Sequence, residues 1–190
     1  MNCIQFLLPV LVLVGYVGAQ VLLSGPCPKI PPMKNFEPKT FLGRWYELER
    51  YFVSYEGLAG TCWVENYLYS PKRGHYTRLD WMDRITRKTL NIENGLTFDK
   101  YEPGRLHYFV ERPFLPFLQG EYLVLATDYS TFALAWQCMD LPLKHTEILW
   151  LLSKQQYPEA YVIKKAKSIA SGLGLDVSLL RKQDRAGCPN

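Results

Sequence analysis

Phe41-Leu42-Gly43-Arg44-Trp45-Tyr46-Glu47 opens the β-rich part of the chain, and far downstream Thr127-Asp128-Tyr129 stands a short way ahead of Cys138. Between Trp45 and Ser153, short runs of aromatic and β-branched residues recur about every ten residues, the spacing of strands joined by tight turns. The runs predict strands near 45–55, 62–69, 75–83, 86–93, a weak 96–100, 106–112, 121–127, 131–138 and 147–153. Pro71-Lys72-Arg73-Gly74, Pro103-Gly104 and Thr127-Asp128-Tyr129 punctuate them as turns. Strands so spaced build a sandwich or a barrel. One clear helix follows: Pro158 suits its first turn, Val162, Ala166, Ile169, Ala170 and Leu173 share a face, and Gly172 or Gly174 can stop it.

The first 19 residues carry no Lys, Arg, Asp or Glu, and residues 4–17 form an apolar run broken only by Gln5, Pro9 and Gly15. The run is too short to span a membrane and ends in Val17-Gly18-Ala19, a small-residue cleavage pattern. A signal peptide over 1–19 and a single domain over 20–190 are expected, hence a secreted, extracellular product. After cleavage about 170 residues remain, enough for one domain with a sizeable core. The net charge of +4 is modest and the 22 basic residues are scattered, so no nucleic acid partner is expected. Lys164, Lys165 and Lys167 fall on the predicted helix and read as its solvated face.

Cys3 leaves with the signal peptide, and Cys27, Cys62, Cys138 and Cys188 form an even set in an oxidising compartment. Two disulfides are expected, and spacing alone leaves three pairings open. No C-x-x-C pair or adjacent histidine supports a metal site. The three histidines, His75, His107 and His145, lack metalloprotease spacing, and no G-x-S-x-G elbow occurs. Gly172-Leu173-Gly174 closes a helix rather than opening one, so it reads as a cap and not a phosphate cradle. His75 beside Asp80 reads as a strand-edge histidine rather than an acid–base pair. No catalytic residue, metal or cofactor is expected.

Gly43-x-Trp45, Thr127-Asp128-Tyr129 and the cysteines, in that order, resemble the lipocalin family, and within it the apolipoprotein D branch, over residues 27–188. The resemblance implies an all-β fold: an eight-stranded, up-and-down antiparallel β-barrel with one C-terminal α-helix packed outside. It also implies the pairs Cys27–Cys138 and Cys62–Cys188, tying the N-terminal extension to the seventh strand and the second strand to the C-terminal tail. Trp45 would plug the closed end, with Gly43, Thr127, Asp128 and Tyr129 around it. The basic residue that lies across it, usually arginine in the family, is here Lys154. An ammonium offers a cation–π contact without the planar stacking of a guanidinium, so the plug should be slightly weaker.

An eight-stranded barrel is wide enough for one small ligand. With Cys62 pointing outward, strand alternation places Trp63, Glu65, Tyr67 and Tyr69 inside, and the same logic gives Tyr76, Arg78 and Asp80 on the next strand. Val110, Tyr122, Val124, Ile148, Trp150 and Leu152 complete the expected wall, and Phe41 falls near the entrance by family position. A slip of one residue inverts each face. The resemblance implies a carrier of a small hydrophobic molecule such as a fatty acid, sterol, retinoid or bilin. Arg78 would favour acids, whereas Glu65 and Asp80 would favour amines; pairing of Arg78 with one of these acids near the mouth, with no ligand role, stays equally open. A scavenger of small amine mediators, or a surface-acting signalling protein without a dedicated ligand, stays open as the alternative.

The apolar stretch Pro113-Phe114-Leu115-Pro116-Phe117-Leu118 falls in a loop at the barrel mouth. A loop so apolar calls for a partner: a lid over the ligand, a membrane or lipoprotein surface, or a second copy in a weak dimer of an otherwise monomeric chain. Asn35, Asn66, Asn91 and Asn94 all lack the hydroxyl residue two positions on that N-glycosylation requires.

Overall fold

The computed structural model describes residues 21–53, 60–110 and 119–189. The expected signal peptide and the mouth loop with Phe114, Leu115, Phe117 and Leu118 lie outside them. Eight strands follow one another: β2 (Gly43–Arg50), β3 (Gly60–Ser70), β4 (Gly74–Asp83), β5 (Thr89–Phe98), β6 (Arg105–Val110), β7 (Gln119–Thr127), β8 (Phe132–Leu141) and β9 (Lys144–Ser153). Each pairs antiparallel with the next, and β9 returns to β2 with Tyr46 opposite Ser153 and Arg50 opposite Trp150. Closure leaves the eight strands without a free edge, the liability of any open sheet. A leading strand β1 (Val21–Ser24) adds to β9, and a short β10 (Arg181–Lys182) adds to β2. Helix α1 (Pro38–Phe41) precedes the barrel and α2 (Ala160–Gly172) follows it.

Alternation along the strands sorts the apolar residues into two cores. Trp45, Tyr67, Leu96, Leu106, Val124, Ala133 and Leu152 pack with Phe36 and Phe41 inside the barrel. Leu134, Trp136, Leu149 and Leu151 face outward and meet Val162, Ala166 and Ala170 of α2. The two buried alanines let the helix backbone lie close to the sheet, and each large side chain so covered contributes about 2 kcal/mol. Lys167 forms a 2.7 Å ion pair with buried Glu49, and Lys165 reaches Asp128 at 3.5 Å. The lysine face expected to be merely solvated therefore also ties α2 to the barrel. Pro158 lies before the helix, Glu159 occupies its N-cap position without a side-chain capping bond, and Gly174 takes φ +85° just beyond its end.

Most strand ends shift by up to three residues from expectation, and two differences are larger. The runs at 86–93 and 96–100 are one strand, because Gly95, which reads locally as a break, pairs with Tyr76 on one side and Phe109 on the other. β2 ends at Arg50 rather than continuing toward 55, and Tyr51, Phe52 and Val53 leave the sheet. The disulfides pair Cys27 with Cys138 and Cys62 with Cys188, across separations of 111 and 126 residues. Loops of that length are worth about 4–5 kcal/mol each in the chain-entropy account.

Candidate functional site

One end of the barrel is closed by a stack built from the opening motif. Gly43 adopts φ +102°, a backbone conformation that favours glycine, and a Cβ there would also press on Lys154 Nζ at 3.2 Å. Lys154 Nζ sits 4.2 Å from the Trp45 ring centroid and donates to Leu42 O at 2.7 Å. Burial holds its pKa below the ordinary lysine value. Trp45 Nε1 donates to Phe41 O at 2.9 Å, and the two rings stack with centroids 4.8 Å apart. Phe41 is therefore part of the floor, not the entrance. The short helix α1 folds it back beneath Trp45, against Tyr67 and Phe36.

The Thr127-Asp128-Tyr129 turn joins β7 to β8 at this same end. Thr127 Oγ1 donates to Phe132 O at 2.7 Å and accepts from Tyr129 N at 2.9 Å. Asp128 Oδ1 accepts from the backbone N–H groups of Ser130, Thr131 and Phe132 at 3.2, 2.7 and 3.2 Å, and its Oδ2 accepts from the Thr131 hydroxyl. Partial burial pushes the carboxyl pKa up, but these four donors outweigh it and bring the value down to about 2. Tyr129, at φ +63°, turns its hydroxyl to accept from Glu37 N at 2.9 Å, which pins the segment entering α1.

Toward the other end the inward-facing side chains become partly accessible. Register fixes which side chains point in: Trp45 is opposite Glu65, Tyr67 opposite Thr77, Leu79 opposite Ile92, and Ala135 opposite Trp150. Near the floor, Tyr67, Val124 and Leu152 are buried in the closed core. Higher up, Glu65, Ile92, Tyr108, Tyr122 and Trp150 keep part of their surface accessible. Val110 and Ile148 face the same interior nearer the mouth, where Trp63 stacks on Trp81 with ring centroids 5.1 Å apart.

Arg78 and Asp80 are not in this wall. The three-residue turn 71–73 sets Tyr67 against Thr77, so the inward residues of β4 are His75, Thr77, Leu79 and Trp81. Arg78, Asp80 and Tyr76 face outward. Arg78 Nε meets Asp80 Oδ1 at 3.0 Å, and Asn66 Nδ2 donates to Asp80 Oδ2 at 2.8 Å. His75 is consequently on the opposite face from Asp80, packed edge-on against Phe98 with centroids 5.0 Å apart. Burial, then the Lys39 charge, lowers its pKa.

Some interior polar groups are ones that alternation did not predict. Glu47 and Arg50 form a buried pair at 3.1 Å, and the Arg50 guanidinium lies 5.4 Å from the Trp63 ring centroid. Residues three apart share a strand face only because the β2–β9 register shifts between Glu47 and Glu49. Nothing in the local sequence marks that bulge. Deeper in, Tyr122 donates to Tyr67 at 3.1 Å between the hydroxyl oxygens, and burial followed by neighbouring negative charge, Glu65 included, raises both phenol pKa values. Trp63 Nε1 and Asn94 Oδ1 are buried without a hydrogen-bond partner among the described residues. The upper interior therefore combines partly accessible aromatic side chains with a few fixed donors and acceptors, the mix of groups that orients a small molecule.

Among the described residues, metal ligation has one geometric candidate: Cys138, His145 and Glu147 place donor atoms within 4.8 Å of one another. Cys138 is committed to its disulfide, His145 Nδ1 is 2.8 Å from Gly25 O, and His145 Nε2 is 3.1 Å from Glu147 Oε1. The cluster fastens the N-terminal extension to β9.

No family model matches the chain. Apolipoprotein D of the guinea pig, Cavia porcellus, is 31% identical over 182 residues, covering 94% of this chain and 92% of the relative. The bilin-binding protein of Pieris brassicae is 26% identical over 155 residues, 80% of this chain and 79% of that one. Insecticyanin from the tobacco hornworm Manduca sexta superposes with a TM-score of 0.76 at 22% identity, over 89% of this chain and 92% of its own. The match with apolipoprotein D extends over nearly the whole chain, and together with the closed eight-stranded barrel, its plugged floor and its outer helix it gives one conclusion: the chain belongs to the lipocalin family, in its apolipoprotein D-like branch.

Proposed function

We propose that the protein is a secreted carrier that sequesters one small hydrophobic molecule in the upper half of its barrel. Residues 1–19 serve as the signal peptide and 20–190 as the single lipocalin domain. The observation that carries the reading is the contrast within one interior: a floor sealed around Trp45 beneath a wall of partly accessible aromatic side chains. Burial of apolar ligand surface contributes about 25 cal/mol per Å² before ordering costs, and no bond is made or broken. The bilin-binding protein among the relatives supports a planar, conjugated ligand, with fatty acid, sterol and retinoid as other occupants of the same class. Sequestration of this kind requires no cofactor.

The test is native mass spectrometry with an absorption spectrum on protein taken from its natural secretion, followed by tryptophan-quenching titrations with biliverdin, retinol and a long-chain fatty acid. A retained pigment or lipid, or saturable one-to-one quenching, is expected. No retained molecule and no quenching by any of the three would refute the carrier reading.

Contact with a lipid surface is the second element of the proposal. Ile85 and Leu143, at the tips of the β4–β5 and β8–β9 turns, are 91% and 92% exposed at the open end. Arg84, Arg87, Lys88 and Lys144 flank them, a combination that suits an anionic membrane or lipoprotein surface. Flotation with phosphatidylserine vesicles should drop in the double variant Ile85→Asp, Leu143→Asp. Unchanged flotation rules this docking face out.

A further inference from the structure

Outside the barrel, on the wall formed by β2 and β3, a cavity of about 50 Å³ lies between Arg44, Tyr46, Gln156, Arg185 and the Cys62–Cys188 disulfide. A single water needs about 10–15 Å³ of such space, so the cavity has room for a larger guest. Its donors are unusually one-sided. Arg44 and Arg185 place their guanidinium carbons 5.7 and 5.3 Å from the Tyr46 ring centroid, and Gln156 adds an amide. Among the described residues, none that lines it carries a side-chain carboxylate.

Arg185 is the telling residue. Its Nε and Nη1 are buried and make no hydrogen bond among the described residues. Arg44 donates only a long bond, 3.4 Å, to the Tyr46 hydroxyl. Burial depresses the pKa of Arg185, while the negative charge of Glu47 and the phenols of Tyr157 and Tyr46 offset only part of that effect. Buried cationic donors without an acceptor are costly, and native proteins satisfy them with water or an ion. A planar guanidinium fork matches the paired oxygens of an oxyanion, and a second guanidinium completes its neutralisation.

We propose that this cavity is a binding site for a small oxyanion of the phosphate class, held by Arg44 and Arg185 with Gln156 as an added donor. The anion clamps the C-terminal tail, which carries Arg185, to the opening of β2, which carries Arg44. It does so beside the disulfide that already joins the tail to β3. The site is separate from the ligand chamber and stands or falls independently of the carrier function.

The test is thermal unfolding of the full-length secreted protein over a series of inorganic phosphate concentrations, with sodium chloride holding ionic strength constant. A saturable rise in melting temperature is expected. Arg185→Gln and Arg44→Gln should each raise the phosphate concentration giving half the effect by about tenfold or more, the consequence of losing one charge-assisted contact. Arg44 is exposed, so Arg44→Gln serves as the probe should Arg185→Gln fold poorly by circular dichroism. Flotation with phosphatidic acid vesicles separates the two sources of the anion. Flotation lost in both variants, with no response to inorganic phosphate, assigns a lipid headgroup. A phosphate response without flotation assigns the free ion. Phosphate responses equal in wild type and variants, or no response in either arm, overturn the proposal.

Discussion

Asp128 gathers four hydrogen bonds in the turn between β7 and β8, and its titration should be readable in the stability of the whole barrel. The perturbation is Asp128→Asn, which keeps size and one acceptor oxygen but removes the charge. Lowering the carboxyl pKa from its ordinary 3.8 to about 2 corresponds to about 2.4 kcal/mol of preferential stabilisation of the ionised form. The side chain is 29% exposed, and solvent screening reduces the measurable part to about 1 kcal/mol. The folded-state pKa is depressed, so the contribution is fully present above pH 4 and is lost as pH falls toward 2. Urea unfolding of wild type and variant at pH 7, 4, 3 and 2 gives the difference directly. Wild type should lead by about 1 kcal/mol at pH 7 and pH 4, and the gap should close by pH 2. A gap that stays constant across the series would refute the reasoning, because it would locate the effect in packing or neutral hydrogen bonding rather than in the charge.

Gly43→Ala should destabilise the fold by about 2 kcal/mol, chiefly because it forces a side chain into a φ of +102° and also because it presses on the Lys154 ammonium over Trp45. A shift in urea midpoint equivalent to less than about 0.5 kcal/mol would show that neither constraint matters. Replacing both Cys62 and Cys188 by serine should cost about 2–4 kcal/mol, somewhat below the chain-entropy limit because the tail is also held by β10. Equal melting temperatures for that variant and the wild type would count against the disulfide as a staple of the tail.

The legible part of this protein was what depends on local chemistry and spacing. The run of short strands, the single amphipathic helix with Val162, Ala166 and Ala170 on its buried face, and the even cysteine count follow from residue types alone. Gly43-x-Trp45 and Thr127-Asp128-Tyr129 were readable because each motif completes most of its work within a few residues: a left-handed glycine before a stacked ring, a carboxylate collecting adjacent N–H groups. Trp63, Glu65, Tyr122 and Trp150 could be placed inward because strand alternation extends from a fixed anchor.

Register lay beyond the sequence wherever a turn or bulge altered the count. The turn 71–73 sent Arg78 and Asp80 to the outside, and the bulge between Glu47 and Glu49 brought Arg50 inside to join Glu47 under Trp63. Gly95 reads as a break in isolation but is held in β5 by partners on both sides. Family position puts Phe41 near the entrance, yet it belongs to the floor because α1 folds it under Trp45. By itself, then, the sequence determined the barrel, its helix and its floor motif, since periodicity, turn chemistry and side-chain size act over a few residues. Only the tertiary structure decided which charges face the chamber, because a one-residue offset between paired strands reverses every side chain and is set by the fit of distant segments.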